Sequence, residues 1–348
     1  MGKLAVIASG MVTAVGFNAR ASCAAMRAGI SGVAVVNLWD SESGEYIKGA
    51  KVPLPQWWEG VGKLVDLVAP AIQECLRAAS PIPSDEIPIF LGVAPANRPF
   101  RFENLEAEFF DEIEYKLKVG HHQKSQIIPD GRLAGAVGIE KAQHLLESGE
   151  ASCCIVAGVD SFLQQDVAEA FMEQQRILTP SNSDGFIPGE AGSAILLQRS
   201  EHSKNKELQI CGIGFAKESG TIQGERPVTG EGLTQALRTA ITQAGIQFSD
   251  ADYWLNDQNG EHYKFKEAAF AQIRLERIRE KPREDRFEVW HPIECLGDIG
   301  AAIVPCLLGY ALDAHRLSYA PGPLALLHVG SDEGLRAALV LQWKMKDH

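Results

Sequence analysis

The sequence predicts a layered α/β fold assembled from two similar halves. Three observations predict it. Short apolar runs such as 4–8 and 153–158 alternate with helical patterns along the chain, as strands covered by helices do. A polar stretch, 198–207 (QRSEHSKNKE), interrupts that pattern, and a strand-like run restarts it at Leu208. Each side then reads strand, helix, strand, helix, strand, although no residue-level repeat is visible. We expect one compact unit made of an N-terminal half, 1–200, and a C-terminal half, 201–348. The 348 residues, 45% hydrophobic and 22% charged, suffice for a large core.

The elements follow in order. Residues 4–8 are a continuous apolar run ending in Ser9-Gly10, read as a strand buried on both faces. Residues 21–28 read as a short helix closed by Gly29. Residues 61–79 form a longer helix, with Leu64, Leu67, Val68, Ile72, Cys75 and Leu76 on one face. Residues 87–93 are a strand. Phe102, Leu105, Phe109, Ile113 and Leu117 mark an amphipathic helix with an acidic outer face. Residues 133–148 form a helix rich in small residues, closed by Gly149, that can pack tightly. Residues 153–158 (CCIVAG) and 194–197 are buried strands. In the second half, 208–214 is a strand, 233–244 a helix ending at Gly245, and 253–255 a short strand. Residues 264–279 form a basic helix, and 299–312 an apolar helix bent or begun near Pro305. Residues 324–329 and 337–342 are the last strands.

Composition excludes several functions. Lys+Arg 33 against Asp+Glu 45 gives a net charge of −12, with no electrostatic footprint for nucleic acid. Seven cysteines without a CxxC fit reduced thiols in the cytoplasm and argue against a structural zinc. No apolar run reaches the ~18 residues of a membrane span. The N-terminal apolar run is too short and too broken by Ser9, Gly10 and Thr13 for a signal peptide, and Val6 spoils a myristoylation signal. No metal or cofactor is expected. GIGFAK (212–217) lacks the third glycine of a dinucleotide loop, and GMVTAVGF (10–17) lacks the P-loop lysine. Neither GxSxG nor HExxH occurs.

One segment carries more information than the rest. SDGFIPGEAGSAILL (183–197) leads a polar turn through Phe186 and Pro188 into a Gly-Glu-Ala-Gly run and then a strand. It resembles the "DGFVxGEGAG" signature of β-ketoacyl synthases, members of the thiolase-like superfamily. LAVIASGMVTAVG (4–16), CAAMRAGISGV (23–33), GAVGIEKAQHLLESGEASCCIVAGVDSF (135–162), AITQAGIQFSDADYW (240–254) and LGDIGAAIVPCLLGYAL (296–312) resemble further family segments, in family order. The resemblance implies the five-layered αβαβα thiolase-like fold and a homodimer, for which CCIVAG is the expected pairing edge.

Family chemistry rests on a cysteine at a helix N-terminus and two histidines that assist decarboxylation and stabilise the enolate. Matching Gly135 to the glycine after the family's nucleophile motif puts Arg132 at the nucleophile, in PDGRLAG (129–135). The first histidine falls at Gln258, or Asn259 with a one-residue gap. Matching Gly300-Ala301-Ala302 to the family's "GAA" puts Gly297 at the second, or Asp298 if shifted. GSDEGLR (330–336) replaces the closing loop "GFGGTN". Arg132 stays protonated and cannot be a nucleophile. A cation is unfavourable at a helix N-terminus, so an acid should neutralise it, with Asp130, Glu190, Asp298 and Asp332 as candidates. The preferred reading is a buried ion pair filling a dead pocket; the alternative is a carboxylate or phosphate clamp for an acyl ligand.

Other reactive residues have plainer roles. Cys153, Cys154, Cys306, Cys23 and Cys75 read as packing residues. Cys295 with His291, in HPIECLGD (291–298), is the weaker candidate for a relocated nucleophile and base. His121 and His122 read as a surface or dimer-contact loop, and His262 as a loop histidine that could fill the space of the lost first one. The helix 264–279 and its continuation through Lys281, Arg283 and Arg286 read as a solvated face, or as a docking patch for an acidic partner such as an acyl carrier protein. The expected function is a ketosynthase-like pseudoenzyme without condensing activity, a homodimeric scaffold or adaptor for a client protein. The alternative is an acyltransferase or acyl-thioester binder with a relocated site.

Overall fold

The computed structural model describes residues 2–56, 58–200, 206–277 and 288–344. In chain order the elements are β1 (Leu4–Thr13), α1 (Ala19–Arg27), β2 (Val33–Asp40), β3 (Glu45–Ala50), α2 (Val61–Ala79), β4 (Ile89–Gly92), α3 (Leu105–Leu117), β5 (Gln126–Ile128), α4 (Ala134–Ser148), β6 (Cys153–Ser161), α5 (Gln165–Glu173) and β7 (Glu190–Arg199). The second half adds β8 (Glu207–Lys217), α6 (Glu231–Ala244), β9 (Tyr253–Asn256), α7 (His262–Glu276), β10 (Glu288–Trp290), α8 (Ile293–Leu296), α9 (Ile303–Arg316), β11 (Leu324–Gly330) and β12 (Leu335–Lys344). One turn of 3₁₀-helix leads into α4 (Gly131–Leu133) and another into α9 (Gly300–Ala302).

Ten strands form one sheet in the order β10-β9-β11-β12-β8-β1-β7-β6-β4-β5. Its two wings repeat one pairing pattern. From β1 outward the partners β7 and β6 are antiparallel, then β4 and β5 parallel. From β8 outward β12 and β11 are antiparallel, then β9 and β10 parallel. The wings join through β1 and β8 in only three residue pairs, Leu4–Ile210, Ala5–Gln209 and Val6–Leu208.

Alternating side chains explain the layers. On β6, Ile155 and Ala157 join the cluster with α2 and α3, while Cys154 and Val156 face the cluster of α4 and α9. That central cluster also takes Ile213, Leu327 and Leu339 from the other wing, so both wings flank the same two helices. Trp254, Leu326 and Val340 face α6 and α7 on the far side. The result is the five-layered αβαβα arrangement. Gly135 lets the central helices approach: a Cβ there would sit 2.5 Å from Val304 Cβ.

The structure departs from the sequence expectations in places. CCIVAG is not a sheet edge, because β6 lies between β7 and β4; its apolar character comes from helices on both faces. The edges are β5 and β10. The hairpin β2–β3, outside the main sheet, and the short α5 had no sequence counterpart. Of the two alternatives for Pro305 the second holds: α9 begins at Ile303 and Pro305 lies in its first turn, where proline is tolerated. The basic helix ends at Glu276; Arg279, Lys281, Arg283 and Arg286 lie outside the described residues.

Candidate functional site

Arg132, in the 3₁₀ turn before α4, and Asp298, just ahead of the turn before α9, meet between the two central helices. Arg132 is buried. Its Nε donates to Asp298 Oδ1 at 3.3 Å, its Nη2 to Asp298 Oδ2, and its Nη1 to Asp332 Oδ1 at 3.4 Å. Asp298 also accepts from Asn259 Nδ2 at 2.7 Å and from the Gly300 amide at 3.0 Å. Burial favours the neutral acid, but Arg132 and Lys264 outweigh it and hold the Asp298 carboxyl down to about 2. Burial would likewise lower the Arg132 pKa, yet Asp298 and Asp332 raise it well above its ordinary value. The pair is charged throughout the physiological range.

The cluster extends to a second arginine. Arg176, on the segment after α5, makes a fork onto Glu261 at 2.7 and 3.0 Å. It also reaches Asp332 at 2.7 and 3.1 Å. Asp332, partly exposed at the cleft, therefore bridges Arg132 and Arg176, and together with Lys264 they hold its carboxyl well below the usual range. Asn259 closes the circuit through Glu261 Oε2 at 3.0 Å. A third arginine, Arg98, pairs with Asp160 and lies 4.0 Å over the Phe162 ring. Such two-pronged pairs fix geometry as well as charge.

A cleft of about 180 Å³ opens beside this cluster, with Arg98, Arg132, Arg176, Phe162, Phe171 and Asp332 among its walls. Its rim carries Asp130 and Glu333, which add negative charge. The phenylalanine wall is held from behind: Phe162, Phe171 and Phe186 pack edge to face at 5.2 to 5.6 Å. Phe186 belongs to the 183–197 segment, whose Ile187 carbonyl accepts from the Asp298 amide at 2.7 Å. That segment thus positions Asp298.

The other sequence candidates fall as follows. Of the four acids proposed to neutralise Arg132, Asp298 and Asp332 pair with it. Glu190 instead pairs with Lys63 at 2.8 Å, and Asp130 is exposed at the cleft rim. Gln258 is buried, its backbone N–H donating to Asn256 Oδ1 at 3.0 Å. Gly297 has φ +66°, and a Cβ there would lie 2.9 Å from the Ile187 oxygen, so its place in the chain suits glycine alone. Burial and Glu294 push the Cys295 thiol up, while His291 Nδ1 faces Asn256 Oδ1 at 3.2 Å. His262 is exposed at the start of α7. His121 stacks on Phe110 at 4.6 Å and contacts Glu114 at 2.6 Å. Sequence reading missed Arg98, Arg176, Glu261 and Asp160. No group of three metal-ligating side chains occurs among the described residues. Nor is any described helix long and apolar enough to cross a membrane.

The comparisons with known proteins follow this geometry. The family described as Beta-ketoacyl synthase, N-terminal domain, matches residues 134–203. A putative mitochondrial 3-oxoacyl-[acyl-carrier-protein] synthase of Schizosaccharomyces pombe is 28% identical over 137 residues, 34% of this chain and 32% of that protein. A putative polyketide beta-ketoacyl synthase 1 of Streptomyces halstedii is 24% identical over 205 residues, 53% of this chain and 48% of the relative. The matches therefore span between a third and a half of these relatives. Among solved structures, a ketosynthase in complex with its chain length factor from Xenorhabdus doucetiae superposes with TM-score 0.75 at 15% identity, covering 99% of this chain and 98% of that one. A type II polyketide acyl-carrier protein in complex with its ketosynthase gives TM-score 0.80 at 15% identity, covering 98% and 99%. These likenesses establish the ketosynthase thiolase-like fold.

Proposed function

We propose that this chain, a ketosynthase by fold, is a partner protein that does not condense acyl groups. The observation that carries the proposal is the buried circuit of Arg132, Asp298, Asp332, Arg176 and Glu261. By the matched motifs Arg132 takes the place of the family's nucleophile, and Asp298 adjoins Gly297, which takes the place of its second histidine. A guanidinium cannot attack a thioester, and Asp298, held ionised, has no proton to lend at neutral pH. When members of a catalytic group that act as a unit are lost together, little of its rate enhancement survives. Similar folds occur in ketosynthase and chain length factor complexes, which supports a scaffold or adaptor role. We further propose that the chain divides near residue 200 and pairs as a homodimer through the edge strand β5. Pairing there would remove an unpaired edge.

The second reading, an acyl-thioester binder or an acyltransferase using Cys295 and His291, is favoured by the open cleft beside Phe162 and Phe171. The raised Cys295 pKa and the engagement of His291 by Asn256 weigh against its covalent form. Intact-mass spectrometry of the purified protein with a panel of acyl-CoA and acyl-carrier thioesters decides between the proposal and the covalent form of the second reading. The proposal expects no adduct from folded protein. A stoichiometric adduct on one cysteine refutes it and locates the nucleophile.

A further inference from the structure

Helix α7 breaks the rule that a helix turns a polar face to water. Its inner side buries Ala268, Ala271 and Leu275 against α6 and the sheet. Its outer side is apolar again: Phe265 is 42% exposed, Phe270 36% and Ile273 47%. Positions 265, 269 and 273 follow one another at i, i+4 and i+8 and make a ridge about 12 Å long. Cations border it. Lys266 and Arg277 are exposed, and Arg274 lies 5.9 Å over the Phe270 ring. The acids of α7 do little to cancel them, because Glu267 is buried in an ion pair with Arg336 and only Glu276 remains. None of these residues lines the cleft.

We propose that the outer face of α7 is a docking site for an acidic amphipathic helix of a partner protein. The argument is one of complementary charge around a helical apolar ridge. Ridges at i, i+4 accept the matching ridges of a second helix, and its flanking carboxylates would meet Lys266 and Arg277. The face reverses the sign of a chain whose net charge is −12. Repulsion from distant acids is screened beyond about 8 Å at physiological salt, so the local cations decide the encounter. A membrane surface fits less well. The apolar side chains are more than half sunk into the protein, and the few cations supply only about 1 kcal/mol each toward anionic lipid.

The test uses the full chain and a fluorescein-labelled peptide of about 18 residues, long enough to form a helix, with leucine on one face and glutamate on the others. Fluorescence anisotropy should show saturable binding that weakens as salt rises. The double variant Lys266→Glu/Arg277→Glu should lose about tenfold, about 1.4 kcal/mol, and Phe265→Ser/Ile273→Ser at least as much. Hydrogen exchange should show protection on α7. Absent binding overturns the proposal. So does equal binding of the same peptide with lysine for glutamate, or protection away from α7. Binding of phosphatidylserine vesicles through α7 in preference to the glutamate peptide overturns it in favour of a lipid surface.

Discussion

Replacing Arg132 by methionine tests the central circuit. The substitution keeps an unbranched chain of similar length and removes the guanidinium. Asp298, 1% exposed, would keep the Asn259 and Gly300 donors but lose its counter-ion. Its pKa drop from 3.8 to about 2 corresponds to roughly 2 kcal/mol. Removing one partner of a buried pair costs about 3–5 kcal/mol in other proteins. We therefore expect Arg132→Met to lower stability by about 3 kcal/mol in urea denaturation at pH 7. The double variant Arg132→Met/Asp298→Asn removes the stranded charge while keeping an acceptor for the Gly300 amide, and should recover most of the loss. Sign supports a second readout. A carboxyl with a depressed pKa contributes stability above 3.8 that is lost as the pH falls toward 2. The acid branch of the stability curve should therefore flatten in Arg132→Met. A loss below about 1 kcal/mol, or additive effects in the double variant, would refute the reasoning.

Three further outcomes follow from the same geometry. Gly297→His, the literal restoration of the matched histidine, should destabilise by about 1–3 kcal/mol, because φ is +66° and the Cβ meets the Ile187 oxygen; a thermal midpoint equal to the parent's would contradict this. Arg132→Cys should place a thiol beside the Asp298 carboxylate, which raises its pKa, so iodoacetamide should modify it more slowly than free cysteine at pH 7, and faster alkylation counts against the reading. Burial lowers His328 and His315 from 6.5 to about 4. The unfolded chain then takes up protons that the folded one refuses, and stability should fall as the pH drops from 6.5 toward 4, by up to about 1.4 kcal/mol per pH unit for each histidine. His328 Nδ1 has no hydrogen-bond partner among the described residues, so His328→Phe should lessen the fall in urea midpoint between pH 7 and pH 5; an unchanged fall would reject the assignment.

Much of the fold was legible because its core elements follow simple periods. Helix α2 has the predicted bounds, its buried side chains recurring at helical spacing. Strands β6 and β7 were visible as apolar runs because both of their faces are covered. The hairpin β2–β3 was not, since it sits outside the main sheet and leaves Ala34, Val35 and Trp39 exposed with no regular alternation along β2. The edge strands β5 and β10 hold three residues each, too few for a period to show. At the site, flanking motifs led to Arg132, Asn259, Asp298 and Asp332. They could not lead to Arg176 or Glu261, which are 85 residues apart and joined only by the fold. A cue existed in the surplus of acids around one predicted arginine, since a buried carboxylate calls for a cation of its own.

The repeated pairing pattern gives the charges at the centre a further meaning. The turns before α4 and α9 hold corresponding places in the two wings, and one brings Arg132 while the other brings Asp298. Two like wings set face to face would press arginine on arginine, or aspartate on aspartate, in a space that excludes water. An unlike pair avoids that repulsion. Opposite sign at matched positions therefore favours the pairing of unlike wings over the pairing of two copies of the same wing.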